Sequence, residues 1–360
     1  MTNVPELRFV GFDEEWDSRR LKSLIKDIGT GSSKFNFIEG RYPVLGSTGI
    51  IGYDNQFDYD GKFILIARVG ANAGILYKYN GKVKISDNTI FITTKNQEYI
   101  YNLLLKKDLT RLVFGSGQPL VKSSDLKDLH VIYTKNEEEQ DKIGSLFKKF
   151  DELIEIQEGK VTKMEDFKKS MLQKMFPKKD ELVPEFRFYG FDGVWEKKKI
   201  SDIGKITAGG DVDKKKISNK GRYPVIANGD SNNGIIGYYE DYYKISEPAV
   251  TVSARGNIGT AVARNYPFTP VIRVLTLTSD NNIYFMSEAI NRLRIFNESS
   301  GVPQLTSPQF GGYNIFMAKL SEQEKIGQFF KNIDTQIENE EKLLESYKMM
   351  KKSLLQKMFV

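Results

Sequence analysis

A thirteen-residue phrase, VPELRFVGFDEEW at 4–16, returns as VPEFRFYGFDGVW at 183–195, with nine positions identical. The chain has two tryptophans, Trp16 and Trp195, and each closes one copy. Further matches follow in the same order: RYPV at 41–44 and 222–225, then GIIGY at 49–53 and 234–238. Next come Ala67-Arg68-Val69-Gly70 with Ala254-Arg255-Gly256, and Gly117-Gln118-Pro119 with Gly301-Val302-Pro303. The series ends with EQDKIG at 139–144 and EQEKIG at 322–327, then MLQKMF at 171–176 and LLQKMF at 354–359. The spacing between copies drifts from 179 to 187 residues and then settles at 183. A 360-residue chain built this way is a tandem duplication of two large units, not a solenoid of short repeats.

Each unit divides into a globular part and a long helix. The expected organisation is a globular domain over 1–135, a helix over 136–176, a linker over 177–182, a second globular domain over 183–318 and a second helix over 319–360. Short β-branched runs between Gly/Asn turns predict strands at 63–68, 89–93, 249–255 and 271–278. One helix is expected in each globular part, near 96–106 and 283–296. The fold class is therefore α+β: two pseudo-symmetric globular α/β domains separated by two long antiparallel coiled-coil helices.

The long helices carry a sustained 3–4 apolar spacing. Its leading members are Ile143, Phe147, Phe150 and Ile154 in the first copy, and Ile326, Phe330, Ile333, Ile337 and Leu344 in the second. Gln157 and Glu340 interrupt the stripe at the same heptad position, where a polar group can set register. Pro177 ends the first helix. Paired antiparallel within one chain, about 36 residues would make a rod of roughly 54 Å, the length of about 16 base pairs. A globular unit would sit at each end, making a dumbbell. The competing reading is two amphipathic helices, each covering its own globular part.

Composition removes several chemistries. The chain has no cysteine, which excludes disulfides, zinc–thiolate sites and cysteine nucleophiles. Its one histidine, His130, lies in an apolar run, LKDLHVIY, that reads as a strand, so a structural role is expected and no metal site. Hydrophobic residues make up 40% and aromatics 12%, enough for real cores. The net charge of +6 permits a nucleic-acid partner without demanding one. No secretory signal pattern opens the chain and no apolar run approaches ~20 residues, so a cytoplasmic location and no membrane contact are expected. No two of the eleven prolines are adjacent, so the Asn/Asp-Pro-Pro-aromatic element of an adenine methyltransferase is missing. There is no phosphate-binding Gly-x-x-x-x-Gly-Lys-Ser/Thr loop either. No catalytic residue and no cofactor are assigned to the chain itself.

Taken together, the two VPE-x-RF…GF…W openings, the EQ-x-KIG helix starts and the LQKMF helix ends resemble the specificity subunit of Type I restriction–modification systems over essentially the whole chain. The resemblance implies that each globular part is a target-recognition domain reading one half of a split, asymmetric site in double-stranded DNA. It implies that the helices set the unspecified gap and that the subunit is not itself catalytic. It also implies two adenine-N6 methyltransferase subunits that use S-adenosylmethionine, and ATP-dependent restriction/translocase subunits. Outside that resemblance, the residues also fit a coiled-coil adaptor with two ligand-binding domains not directed at DNA.

Base readout needs donors and acceptors on loops, and phosphate contact needs Lys, Arg and backbone N–H. Three places in each half qualify. One is the turn between RYPV and GIIGY: Ser47 and Thr48, with the longer Asn228, Ser231 and Asn232 stretch in the second copy. Such turns are equally well read as plain hairpins. Another is Arg68 with Asn72, matched by Arg255 with Asn257, where a guanine or phosphate contact competes with a surface ion pair. The third is basic density at Arg41 in the first half and at Lys214, Lys215, Lys216 and Arg222 in the second, also readable as a solvated run. Gln118, at the junction, is a candidate adenine contact. The helix ends, with Met171, Met175, Phe176, Leu354, Met358 and Phe359, are either seam or methyltransferase-docking surface, with seam favoured by the heptad register.

Overall fold

The computed structural model describes residues 3–34, 40–115, 119–229, 231–295 and 304–360. The chain forms two compact units, one made of 1–158 with 342–360, the other of 159–341.

The first unit contains β1 (Asp17–Arg20), β2 (Asp27–Thr30), β3 (Tyr42–Gly46), β4 (Gly49–Asp54), β5 (Tyr59–Ala67), β6 (Leu76–Ile85) and β7 (Thr89–Thr93). Then come α1 (Gln97–Lys107), α2 (Ser123–Asp128), β8 (His130–Tyr133) and the start of the long α3 (Glu137–Met175). A six-stranded sheet runs β2-β7-β5-β6-β3-β4, and β1 pairs with β8. All its pairings are antiparallel except β3 with β6. Side chains alternate faces along each strand. Ile64, Ile66, Ile90 and Ile92 therefore join Tyr99, Ile100, Leu103 and Leu104 of α1 in one core. Their neighbours Phe63, Leu65 and Phe91 form a second core with Leu45, Val83 and Ile85.

The second unit repeats this plan with β9 (Glu196–Lys199), the one-turn α4 (Ile200–Ile203), β10 (Lys205–Ala208), β11 (Tyr223–Ile226), β12 (Ile235–Tyr239) and β13 (Ala249–Ser253). It continues through β14 (Ala261–Arg264), β15 (Thr269–Pro270), β16 (Val274–Thr278), α5 (Ile283–Asn291), α6 (Ser307–Gly312), β17 (Asn314–Met317) and the start of the long α7 (Leu320–Met358), whose last part belongs to the first unit. Here the sheet is split into β10-β16-β13-β14 and β12-β11-β15. The continuous β6 corresponds to β14 plus β15, because Pro267 falls between them and a proline cannot donate to a ladder.

Each predicted strand and helix is present, with shifted edges. β5 begins at Tyr59, β16 begins only at Val274, and α5 stops at Asn291. Each unit also holds short helices beyond the one expected, α2 in the first and α4 and α6 in the second. His130 opens β8 opposite Arg20 and is exposed. Among the described residues no group of His, Asp and Glu is arranged to hold a metal ion, and no helix is long and apolar enough to cross a membrane.

The two long helices have 39 residues each and start and end 183 positions apart. Every heptad-stripe residue is buried or half-buried, including Phe150, Ile154, Ile337 and Leu344. In the first unit Lys351 bonds Asp151, and Lys348 meets Glu158 at 2.9 Å. In the second, Lys168 meets Asp334 at 2.6 Å and Lys160 meets Glu340 at 2.7 Å. Rising numbers on one helix pair with falling numbers on the other, so the segments are antiparallel within each unit. Lys168 also reaches Glu288 at 2.7 Å. Burial raises the Glu288 carboxyl above its ordinary value, and Lys168 opposes that shift.

The stripe is not purely a helix–helix seam. Ile143 and Phe147 belong to the main core of the first unit, and Ile326, Phe330 and Ile333 to that of the second. The helix ends are neither seam nor exposed docking surface. Met358 and Phe359 sit in the first unit's core against Trp16, and Met175 and Phe176 sit in the second unit's core against Trp195. Each tryptophan lies edge-on to the matching phenylalanine: Trp16 to Phe359 at 6.1 Å, Trp195 to Phe176 at 5.6 Å. The repeated opening and the repeated LQKMF are thus two sides of one packing unit.

EQ-x-KIG is structural in the same way. Glu139 takes a two-pronged bond from Arg8, and Glu322 takes one from Arg187. Gln140 and Gln323 tie down the carbonyls of Thr134 and Ala318. Gly144 and Gly327 let α3 and α7 touch the N-termini of α1 and α5. A methyl on Gly327 would lie 2.1 Å from Asn282 Oδ1, the atom that caps α5. Gly159, by contrast, has open space around it. Gly159→Ala should therefore stabilise the protein by up to about 1 kcal/mol through helix propensity. Gly327→Ala should destabilise it by about 1–3 kcal/mol through overpacking and loss of the cap. Thermal melts of the two variants should move in opposite directions.

Candidate nucleic-acid interface

In the first unit four chain segments meet at one end of the sheet. The β3–β4 hairpin turns through Ser47 and Thr48, with Gly49 at φ 137°, a backbone value suited to glycine. The Ser47 hydroxyl donates to the Asn88 carbonyl at 3.0 Å. The Arg68 amide donates to the same carbonyl at 2.9 Å, and its guanidinium donates to the Asp87 carbonyl at 2.9 Å. Val121 N–H closes on the Arg68 carbonyl, and Gly70 N–H on that of Pro119. Thr48, Asn72, Asp87 and Asn88 stand exposed around this knot. Phe114 is 69% exposed beside it, under the Lys122 ammonium at 5.3 Å.

The second unit repeats the backbone knot almost bond for bond. Ser86 N–H to Leu45 O is matched by Val271 N–H to Ile226 O. Arg68 N–H to Asn88 O is matched by Ala254 N–H to Arg273 O. Val121 N–H to Arg68 O is matched by Leu305 N–H to Ala254 O. Asn72 and Asn257 do correspond, since each accepts from the amide three residues on, at the end of its turn. These bonds set Ser47 against Asn228, Asp87 against Ile272 and Asn88 against Arg273.

They also correct one sequence expectation. The position of Arg68 is held in the second unit by Ala254, and Arg255 stands where the first unit has Val69. The AR dipeptides match in letters but not in register, and a shift of one residue sends a side chain to the other face.

The remaining candidates divide into two groups. Asn228 is at the second knot, its Oδ1 accepting from Ala254 N–H at 3.0 Å. Ser231 begins a single turn, and Asn232 and Asn233 within it adopt left-handed backbone, φ 50° and 51°. Asn232 donates to the Ile235 carbonyl. Arg264, which the sequence did not single out, is buried and donates to Asn233 O, Thr251 Oγ1 and Tyr266 Oη, bracing this loop from below.

Arg41 and Arg222 lie elsewhere. Each precedes its strand, at the far end from the hairpin turn, about 16 Å away along the five residues of β3 and about 13 Å along the four of β11. They stack on the next residue, Arg41 over Tyr42 at 5.9 Å and Arg222 over Tyr223 at 5.4 Å. Lys214, Lys215 and Lys216 form an exposed turn capped by Asp213, whose carbonyl accepts from Tyr239 Oη at that same far end. The basic density is thus not part of the knot. Gln118 lies outside the described residues.

Asp87, Asn88, Ile272 and Arg273 were not singled out from the sequence. The Ser-Asp-Asn at 86–88 is an ordinary turn signal. Its counterpart Val-Ile-Arg at 271–273 carries none and reads as strand.

Comparison with known proteins agrees with the duplication. The family model described as "Type I restriction modification DNA specificity domain" matches residues 13–166 and again 193–348. A Mycoplasma pneumoniae protein named as a type I specificity subunit is 25% identical over 336 residues, covering 84% of this chain and 86% of its own. The crystal structure of a Type I restriction–modification S subunit from M. genitalium shares the fold, with a TM-score of 0.80 at 18% identity over 99% of both chains. A structure from work on the assembly of a type I restriction–modification system matches with a TM-score of 0.52 at 15% identity, covering 96% of this chain and 97% of that one. With the family model filling both halves of the duplication, the chain belongs to the Type I restriction–modification DNA specificity family, whose role is DNA recognition.

Proposed function

We propose that each globular part reads one half of a split site in double-stranded DNA, that the 39-residue helices fix the unspecified gap, and that the chain performs no chemistry itself. The observation that carries this reading is one backbone knot built twice with different side chains on it. A shared platform holds each head to the duplex in the same way, and its changed side chains give unlike half-sites. The globular parts correspond to 1–135 and 183–318 of the chain.

The reading includes two S-adenosylmethionine-dependent adenine-N6 methyltransferase subunits and ATP-dependent restriction/translocase subunits as partners. With Met175, Phe176, Met358 and Phe359 buried, methyltransferase docking falls to the apolar residues left outside on the helices. They include Leu153, Ile156, Leu343, Met349 and Met350 on the first unit and Phe167 and Leu320 on the second.

The test is methylation mapping. The chain is co-expressed with the methyltransferase subunit of its own system in a host lacking adenine methylation, and N6-methyladenine is sequenced. The expected result is one bipartite motif with a fixed gap. Absence of methylation, from a methyltransferase proven active with another specificity subunit, overturns the reading.

A further inference from the structure

The second knot opens into a hollow of about 350 Å³ lined by Asn228, Arg255, Gly256, Ile272 and Arg273 among others. Two features there call for explanation. Arg273 has φ 71°, a left-handed conformation that favours glycine. The other non-glycine residues with positive φ among the described residues are Asp108, Asn232 and Asn233, types that tolerate it. Its first-unit counterpart, Asn88, is not among them. The second feature is vacancy of bonding. Among the described residues neither the Arg255 nor the Arg273 guanidinium makes a hydrogen bond or ion pair, whereas Arg68 and Arg264 are both bonded to the fold.

The Arg273 backbone is nevertheless firmly held. Its carbonyl accepts from Ala254 N–H at 3.1 Å, and that same N–H is 3.0 Å from Asn228 Oδ1. A strained residue on a fixed turn, presenting an unengaged fork of donors into an open hollow, is placed to bind something outside the chain. A guanidinium fork matches the O6 and N7 acceptors that guanine shows in the major groove.

Resting on the DNA-reading function above, we propose that Arg273 is a specificity-determining residue that reads a guanine in the half-site of the second unit, with Arg255 beside it in the same hollow. The equivalent place in the first unit holds Asn88, an amide suited to adenine, so the two heads differ in base preference at one structurally matched position.

The test uses Arg273→Gly, which removes the fork and relieves the backbone, with Arg273→Asn as a second variant that also tolerates left-handed φ. Both are taken through the methylation mapping alongside the parent chain. The expected result is that one half of the motif and the gap stay unchanged. The other half loses its requirement for one guanine, with discrimination at that position falling about 5- to 150-fold. A motif unchanged in both halves overturns the proposal. So does a parent motif whose altered half contains no guanine.

A uniform fall in methylation with the motif intact also overturns it and makes Arg273 a phosphate contact. If a variant methylates nothing, the purified complex is titrated with the parent site and with a guanine-to-adenine site. Collapse of the parent's preference supports the proposal, and persistence of that preference overturns it. Failure of the parent chain itself to give a split motif counts against the DNA-reading function, not against the residue.

Discussion

Phe359→Ala, one residue from the C-terminus, is expected to lower the stability of the first unit by about 3–5 kcal/mol, the range for emptying a buried phenylalanine site. The ring is 2% exposed and touches three aromatic partners drawn from the first 150 residues. These are Trp16 at 6.1 Å, Tyr99 at 5.5 Å and Phe147 at 5.8 Å. Around it, Leu7 N–H donates to the Lys357 carbonyl, and Lys106 reaches the Gln356 carbonyl and side chain. The C-terminal turn therefore completes the core built by the N-terminal domain. Hydrogen exchange is the direct measurement. Protection in β5 and β7 should fall sharply in Phe359→Ala, while β13 and β16 of the second unit keep theirs. The matched change Phe176→Ala should reverse the pattern, because Phe176 packs on Trp195, Phe285 and Phe330. A loss under about 1 kcal/mol for either would mean that the ring fills no essential volume.

These two phenylalanines show what the sequence could and could not say. The duplication and the heptad stripe are patterns of residue type, and they located both long helices and the buried face of each. Periodicity reports that a face is covered, not what covers it. Nothing in LLQKMF itself says that it closes a core begun 350 residues earlier. The same limit hid the knot. Ser47, Asn228, Asn72 and Asn257 were legible because turn residues announce turns. Arg273 was not, because Val271, Ile272 and Arg273 form a turn from residues that favour strand, the local preference being overridden by the ladder around it. The Arg68–Arg255 match failed for a sharper reason. The duplicated units differ in loop length, so aligning identical letters moved the frame by one residue. In a strand-derived segment one residue is the difference between two faces. Pro267 had a similar effect on the sheet, splitting into two strands what the first unit keeps as one.

Removing one partner of the Arg8–Glu139 pair should cost about 3–5 kcal/mol, whereas replacing both by apolar residues of similar volume should cost far less. The Glu139 side chain is fully buried and Arg8 is 11% exposed, with Nε to Oε1 at 2.6 Å and Nη2 to Oε2 at 2.9 Å. The fork is further held by the Glu14 carbonyl, which accepts from Arg8 Nη1 at 2.7 Å. The hydrogen bond to Glu139 raises the Arg8 pKa above its ordinary value, so the guanidinium keeps its charge at any pH the fold survives. In Arg8→Met, a carboxylate is left in a dry site with its charge uncompensated, and the start of α3 should loosen from the opening segment. Arg8→Met combined with Glu139→Leu removes both charges at once and should recover most of the loss. Urea titrations of the parent, the two single variants and the double variant form the cycle, which isolates the coupling between the partners. A coupling near zero would show that the VPE-x-RF and EQ-x-KIG segments are held together by their apolar neighbours alone. A coupling of several kcal/mol, found again for Arg187 and Glu322, would show what the repeated segments do in both copies: each globular part is fastened to its helix by a buried ion pair.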